Sequence, residues 1–259
     1  MKTGKLVKNR INKPIFTYNN KSYKYDDIFN LIKDLDYHTS GEDCDWVIIR
    51  VHDIEDDKDC YALVFQESTT KEDWFHDFDF FPKWVKAYKG WNNKLIYHKG
   101  FYDEYQSARD IIKEYLSPLL QDLAIEQNCH IDELKLYVFG WSLGASIVPI
   151  AVEDINFTYK INPIALMYEG ANPCYNRHTR KHVQSCMNEN SIGFVYSNDI
   201  VPRLPPLFGK KIKDYIYYLN DHKCKFPFYF IKKIISFIKD TEYYHCNVDN
   251  GILNLMPNI

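Results

Sequence analysis

Leu134-Lys135-Leu136-Tyr137-Val138-Phe139-Gly140-Trp141-Ser142-Leu143-Gly144-Ala145-Ser146 is the stretch whose reading decides the fold. Its first half, Leu134 to Phe139, is apolar, β-branched and aromatic, as a buried strand requires. The residues that follow, Gly144 to Val152, are small and apolar and read as a helix. Between them Gly140-Trp141-Ser142-Leu143-Gly144 has the form G-x-S-x-G. A strand, a sharp turn and a helix in that order are the setting of a serine nucleophile elbow. The turn forces the serine into a strained backbone conformation, so that its hydroxyl projects from the end of the sheet. The flanking glycines remove Cβ atoms that so tight a bend would bring into collision. The N–H of Leu143 then points, with the helix N-terminus, at the place where an oxyanion would form.

Outward from this point the chain alternates strands and helices. Trp46 to Val51, Tyr61 to Phe65, Leu95 to His98, Ile164 to Tyr168 and Ile192 to Tyr196 read as strands, and Tyr215 to Leu219 as an edge strand. Lys24 to Leu35 has helical spacing. Asp103 to Gln127 is a long amphipathic helix that contains Pro118. This alternation predicts an α/β fold with a mostly parallel central sheet and helices on both faces. The expected organisation is a polar N-terminal arm over 1–22 and a single domain over 23–259. The acidic run Asp53-Ile54-Glu55-Asp56-Asp57-Lys58-Asp59 lacks the ligand spacing of an EF-hand and reads as a solvated hairpin loop.

Composition narrows the function. The chain has 259 residues, 46% of them apolar, enough for one large domain with a sizeable core. A net charge of −3 gives no reason to expect a nucleic-acid partner. The seven cysteines are odd in number and form no C-x-x-C pair, so a zinc site or disulfide framework is not expected and a reducing, cytoplasmic setting is. The basic start (Lys2, Lys5, Lys8, Arg10, Lys13) has no apolar core of a secretory signal. No apolar run approaches the ~20 residues of a membrane span.

In α/β-hydrolases an acid and a histidine follow the serine in that order, on loops after strands. Asp199 lies just after the strand ending at Tyr196 and before Ile200-Val201-Pro202-Arg203-Leu204-Pro205-Pro206, with Asp214 and Asp221 as weaker rivals. Only His222 and His245 lie beyond Asp199, and His245, in Tyr243-Tyr244-His245-Cys246-Asn247, is the better placed.

Here the chain resembles the class 3 lipases, the fungal triacylglycerol lipase-like branch of the α/β-hydrolases. Val64-Phe65-Gln66-Glu67-Ser68 and Asp73-Trp74 resemble that family's oxyanion strand and loop. His98-Lys99-Gly100-Phe101 resembles its H-x-G-F segment, and Gly140 to Gly144 its elbow. Asn198-Asp199-Ile200-Val201-Pro202-Arg203-Leu204-Pro205 resembles its acid loop, and His245 falls where its last histidine would. The resemblance implies hydrolysis of lipid esters without a cofactor or metal. Ser142 would be the nucleophile, His245 the base, Asp199 its orienting acid, and the N–H groups of Ser68 and Leu143 the oxyanion hole. The chain departs from the family pattern at Glu67, where glycine is usual, at Trp141 in place of histidine, and at Ala145 in place of glycine.

Two segments point to an acyl-chain substrate and to contact with a membrane or micelle. One is the aromatic-rich stretch from Trp74 to Trp91, at the position of the family's lid. The other is Phe226 to Lys239, an amphipathic helical pattern with a basic face that a core-packed helix would equally produce. A phospholipase or small-ester esterase is an alternative reading. A lipase-like binding module without turnover is another, and Glu67 is the feature that favours it.

Overall fold

The computed structural model describes residues 13–25, 27–40, 44–66, 81–86, 94–168, 170–171, 173–174, 176–195 and 216–218. The strands are β1 (Pro14–Tyr18), β2 (Lys21–Lys24), β3 (His38–Ser40), β4 (Cys44–Asp53), β5 (Lys58–Phe65), β6 (Pro82–Lys86), β7 (Lys94–His98), β8 (Leu136–Trp141), β9 (Ile164–Tyr168), β10 (Ile192–Val195) and β11 (Ile216–Tyr218). The α-helices are α1 (Ile28–Lys33), α2 (Lys99–Gln127), α3 (Leu143–Tyr159) and α4 (Arg177–Cys186). A nine-stranded sheet runs β11-β10-β9-β8-β5-β4-β1-β2, with β3 on β4, and β6 and β7 form a separate hairpin. From β5 to β11 every pairing is parallel, and from β5 to β2 every pairing is antiparallel.

Strand alternation divides the core into two layers. Tyr61, Leu63, Phe65, Leu136 and Val138 point to the face covered by α2, α3 and α4. Cys60, Ala62, Val64, Tyr137, Phe139 and Trp141 point to the other, covered by Ile28, Leu31 and Ile32 of α1 and by the first hairpin. Helices therefore lie on both faces. Pro118 sits inside α2 without ending it. Leu116, Leu120 and Leu123 around it are buried, and this packing offsets the hydrogen bond that the proline lacks.

Residues 14–22 correct the expectation of a polar arm. Here β1 pairs with both β2 and β4, and Phe16 is fully buried. Phe16 stacks on Phe139 with ring centroids 5.6 Å apart. Three strand spacings of about 4.8 Å separate β1 from β8 in a flat sheet, so this contact requires the sheet to curl. The arm looked polar because one buried aromatic among lysines and asparagines leaves little period-two signal.

The acidic loop between β4 and β5 is a tight turn with exposed Ile54 and Glu55, but its first carboxylate is not solvated. Asp53 is 1% exposed and accepts from the Tyr137 hydroxyl at 2.5 Å. The Lys135 ammonium lies 2.9 Å from Asp53 and 2.8 Å from Asp56. A single lysine thus bridges the two carboxylates and offsets part of their charge at the end of the sheet remote from Ser142.

Candidate active site

Strand register brings the parallel strands to a common rim. Trp141 is level with Tyr168 of β9, and Tyr168 with Phe194 of β10. One residue past this row the chain turns. Ser142 has φ 53° and ψ −116°, a conformation that residues with a side chain rarely adopt. Its N–H still donates to the Tyr168 carbonyl at 2.8 Å, which ties the turn to the sheet. Helix α3 begins at the next residue. The N–H of Leu143, first in the helix, has no intrahelical acceptor and lies at the positive end of the helix dipole. Ser142 is 4% exposed, at the floor of the rim rather than on an open surface.

The glycines are required by the close approach of three backbones. A Cβ on Gly140 would lie 2.4 Å from the backbone of Gly144. A Cβ on Gly144 would lie 2.4 Å from the carbonyl oxygens of Phe65 and Gln66. Helix α3 therefore rests directly on the end of β5, the strand from which the expected oxyanion loop departs. Ala145 has its counterpart in Gly170, where an added Cβ would meet the Ala145 methyl at 2.7 Å. Room left by Gly170 lets alanine stand at a position where the resembling family carries glycine. Ser146, fully buried, donates its hydroxyl to the Ser142 carbonyl at 3.1 Å and supports the strained residue from within the helix.

The model of the family described as Lipase (class 3) matches residues 62–209, from β5 through the elbow and beyond. The chain belongs to the class 3 lipase family. Solved structures agree in fold. The triacylglyceride lipase of Rhizomucor miehei is 20% identical with a TM-score of 0.55, over 72% of this chain and 66% of that one. The MDLA protein of Penicillium cyclopium, in a mutant form, is 19% identical with a TM-score of 0.55, over 73% and 64%. A triacylglycerol lipase whose catalytic centre is a serine protease triad is 19% identical with a TM-score of 0.55, over 72% and 66%. The fold is that of the α/β-hydrolases. The chain spans about two thirds of the length of these structures. No curated protein matches it.

Of the expected site residues, Ser142 and Leu143 sit together at the elbow of this class 3 lipase fold. Ser68, Asp199 and His245 lie outside the described residues, as do Glu67, the rivals Asp214, Asp221 and His222, the stretch from Trp74 to Phe80, Trp91, and the segment Phe226 to Lys239. His98 of the H-x-G-F segment is fully buried, stacked on Phe101 at 4.0 Å, with its N–H donating to the Pro173 carbonyl at 2.8 Å. It joins β7 to the segment that follows β9.

Two buried carboxylates that sequence reading passed over hold α3 in place. Asp154, 1% exposed, accepts from the Tyr105 hydroxyl at 2.9 Å, from Arg109 at 2.9 and 3.0 Å, and from Lys113 at 3.0 Å, all on α2. Glu153 meets His182 of α4 at 3.0 Å. Adjacent helical positions are turned about 100° apart, so consecutive acids reach opposite neighbours. Burial pushes the Asp154 carboxyl up, but the hydrogen bonds from Arg109 and Lys113 outweigh it and hold it below its ordinary value. The signal was available: Glu153-Asp154 interrupts an apolar run, and Arg109 and Lys113 recur at helical spacing on α2.

Cys44, Cys60, Cys129, Cys174 and Cys186 form no disulfide among the described residues. Burial pushes the Cys186 thiol up to about 12, so it is held as a thiol rather than a thiolate. Among the described residues no helix is long and apolar enough to cross a membrane.

Proposed function

We propose that the chain is a serine carboxylic-ester hydrolase acting on acylglycerol-like lipid esters through an acyl-enzyme. The observation that carries this reading is the Ser142 backbone, φ 53° and ψ −116°, between a buried parallel strand and a helix N-terminus. Such strain costs about 1–3 kcal/mol, and a packed elbow retains it where the side chain must project toward a ligand. In this reading Ser142 attacks the ester carbonyl, and His245 takes its proton and returns it to the leaving alcohol. Asp199 orients His245 and stabilises the imidazolium. The N–H groups of Leu143 and Ser68 receive the oxyanion. Water then repeats the sequence on the acyl-enzyme.

Two features support the partners. Strand β10 runs parallel to β8 and ends at Val195, so the connection carrying Asp199 leaves the sheet at the end where Ser142 stands. Gln66, two residues before Ser68, has its carbonyl against the Gly144 position. Reaction with a fluorophosphonate probe tests the proposal. Label on Ser142, lost with Ser142→Ala at unchanged circular dichroism, is the expected result. A folded chain that takes no label would instead be a lipase-like module without turnover, and this proposal would fall. Ester panels varied in chain length and headgroup then separate lipase from phospholipase or esterase.

A further inference from the structure

The geometry points to Lys33 as a specificity-determining residue that reads a phosphate group on the alcohol part of the ester. Trp141, the residue before the nucleophile, turns its side chain to the face of the sheet that α1 covers, and it is buried there. The Lys33 ammonium lies over the indole, 4.9 Å from the ring centroid. Trp141 and Ser142 are one chain step apart, about 3.8 Å between Cα atoms. A positive charge therefore stands beside the nucleophile. The indole face attracts the ammonium through its quadrupole and fixes its place. Lys33 itself is exposed. An ammonium has three donors, so contact with the ring does not exhaust its capacity to bind an anion.

The sequence of α1 puts the lysine there. Ile28, Leu31 and Ile32 are buried against the sheet, and Lys33 is turned about 100° from Ile32 toward the open side of the helix. After α1 the chain passes to β3, which pairs with Cys44, Asp45 and Trp46 of β4. Trp46 is opposite Phe65, and Phe65 is opposite Gly140. Helix α1 thus ends toward the elbow end of the sheet. The wall on this side is firmly packed. Tyr168, level with Trp141, stacks on Phe194 at 4.7 Å. The Tyr168 hydroxyl donates to the Tyr25 carbonyl, which ties the segment entering α1 to the same rim.

Charge decides which part of a substrate this lysine reads. The acyl arm of a lipid ester is neutral, so a cation at the site discriminates only among alcohol arms. On a glycerol ester the anion that fits is a phosphate, which accepts charge-assisted hydrogen bonds from an ammonium. A neutral acyl chain in the same place would strip water from the ammonium and return no hydrogen bond. The inference rests on the reading of the chain as an ester hydrolase and names its substrate class, the acylglycerol phosphates. Only the acyl–oxygen bond breaks. Water gives its hydroxyl to the acid and its proton to the alcohol, and the phosphate stays on the alcohol product.

The test compares dibutyrylglycerol with dibutyrylglycerol phosphate, both presented to the full chain as soluble monomers so that no lipid surface enters. A higher kcat/KM for the phosphate ester is expected. The preference should shrink as salt rises from about 0.01 M to about 1 M. Lys33→Met should lower the preference by about fivefold, through KM, and Lys33→Arg should keep most of it. A lysine that only supports Trp141 would instead lower both substrates in step. That result overturns the inference, as does a parent without preference. Binding decides the question without turnover. In Ser142→Ala, calorimetry should show the phosphate ester bound more tightly than the neutral one, with the gap lost when Lys33→Met is added. Equal affinity for the two esters overturns the inference. If the gap is present but the parent hydrolyses neither ester and takes no fluorophosphonate label, the hydrolase reading falls and the assignment of Lys33 stands. Inorganic phosphate bound as tightly as the phosphate ester overturns the inference, because the lysine would then read a free anion.

Discussion

At the scale of single residues, the elbow depends on atoms that are absent. Gly144 faces the Phe65 and Gln66 carbonyl oxygens, and a methyl group there would overlap main chain that cannot swing aside as a side chain would. Gly144→Ala should therefore cost about 3 kcal/mol, at the upper end of overpacking effects, and should displace α3 from β5. Urea unfolding reads the first effect and fluorophosphonate labelling of Ser142 the second. Ala145→Gly only enlarges the space already shared with Gly170, so it should cost less than about 1 kcal/mol and keep the label. Equal loss in the two variants would show that backbone contact with β5 is not what constrains the turn. The G-x-S-x-G pattern made the need for small residues legible in the sequence. Gly170 was not legible as their partner, because its role depends on a contact between segments 25 positions apart.

At the scale of elements, α3 is fixed by its neighbours as much as by its apolar faces. Asp154 receives three donors from α2, and its charge is compensated only in that geometry. Breaking a buried pair leaves uncompensated charge, so Asp154→Asn should destabilise by about 3 kcal/mol at neutral pH. The pH dependence has a definite sign. The folded pKa lies below the ordinary 3.8, so the stabilisation is fully present above that value and is lost as pH falls through the folded pKa. The melting-temperature gap between parent and Asp154→Asn should stay constant from neutral pH down to about 5 and then close in strong acid. A gap that does not change with pH would assign the effect to packing instead. Periodicity exposed the long helix and the parallel strands, since each repeats its apolar pattern over enough residues. The short hairpin of β1 and β2 offers too few repeats, and although Glu153-Asp154 visibly interrupts an apolar run, only tertiary contact shows which partners the two acids take.

At the scale of the whole molecule, curl decides which faces are enclosed. Among the described residues the parallel half of the sheet is covered by α2, α3 and α4 on one face, and by the short α1 and the returning edge strands on the other. Phe16 closes that second layer by stacking on Phe139 and Tyr23 and by touching Tyr137 at 5.7 Å. Phe139 is the strand residue before Gly140, so the layer that Phe16 completes is the one supporting the approach to Ser142. Phe16→Ala should cost about 3–5 kcal/mol, the usual range for a buried phenylalanine. It should also raise hydrogen exchange in β1 and β2 well above that in β8 and β9, because the edge strands lose their anchor while the parallel half keeps its helices. Phe16→Leu, which retains most of the volume, should restore the larger part of both. Uniform exchange across all strands in Phe16→Ala would mean that the curled edge and the parallel half unfold as one unit, and that β1 is as integral to the elbow's support as the helices are.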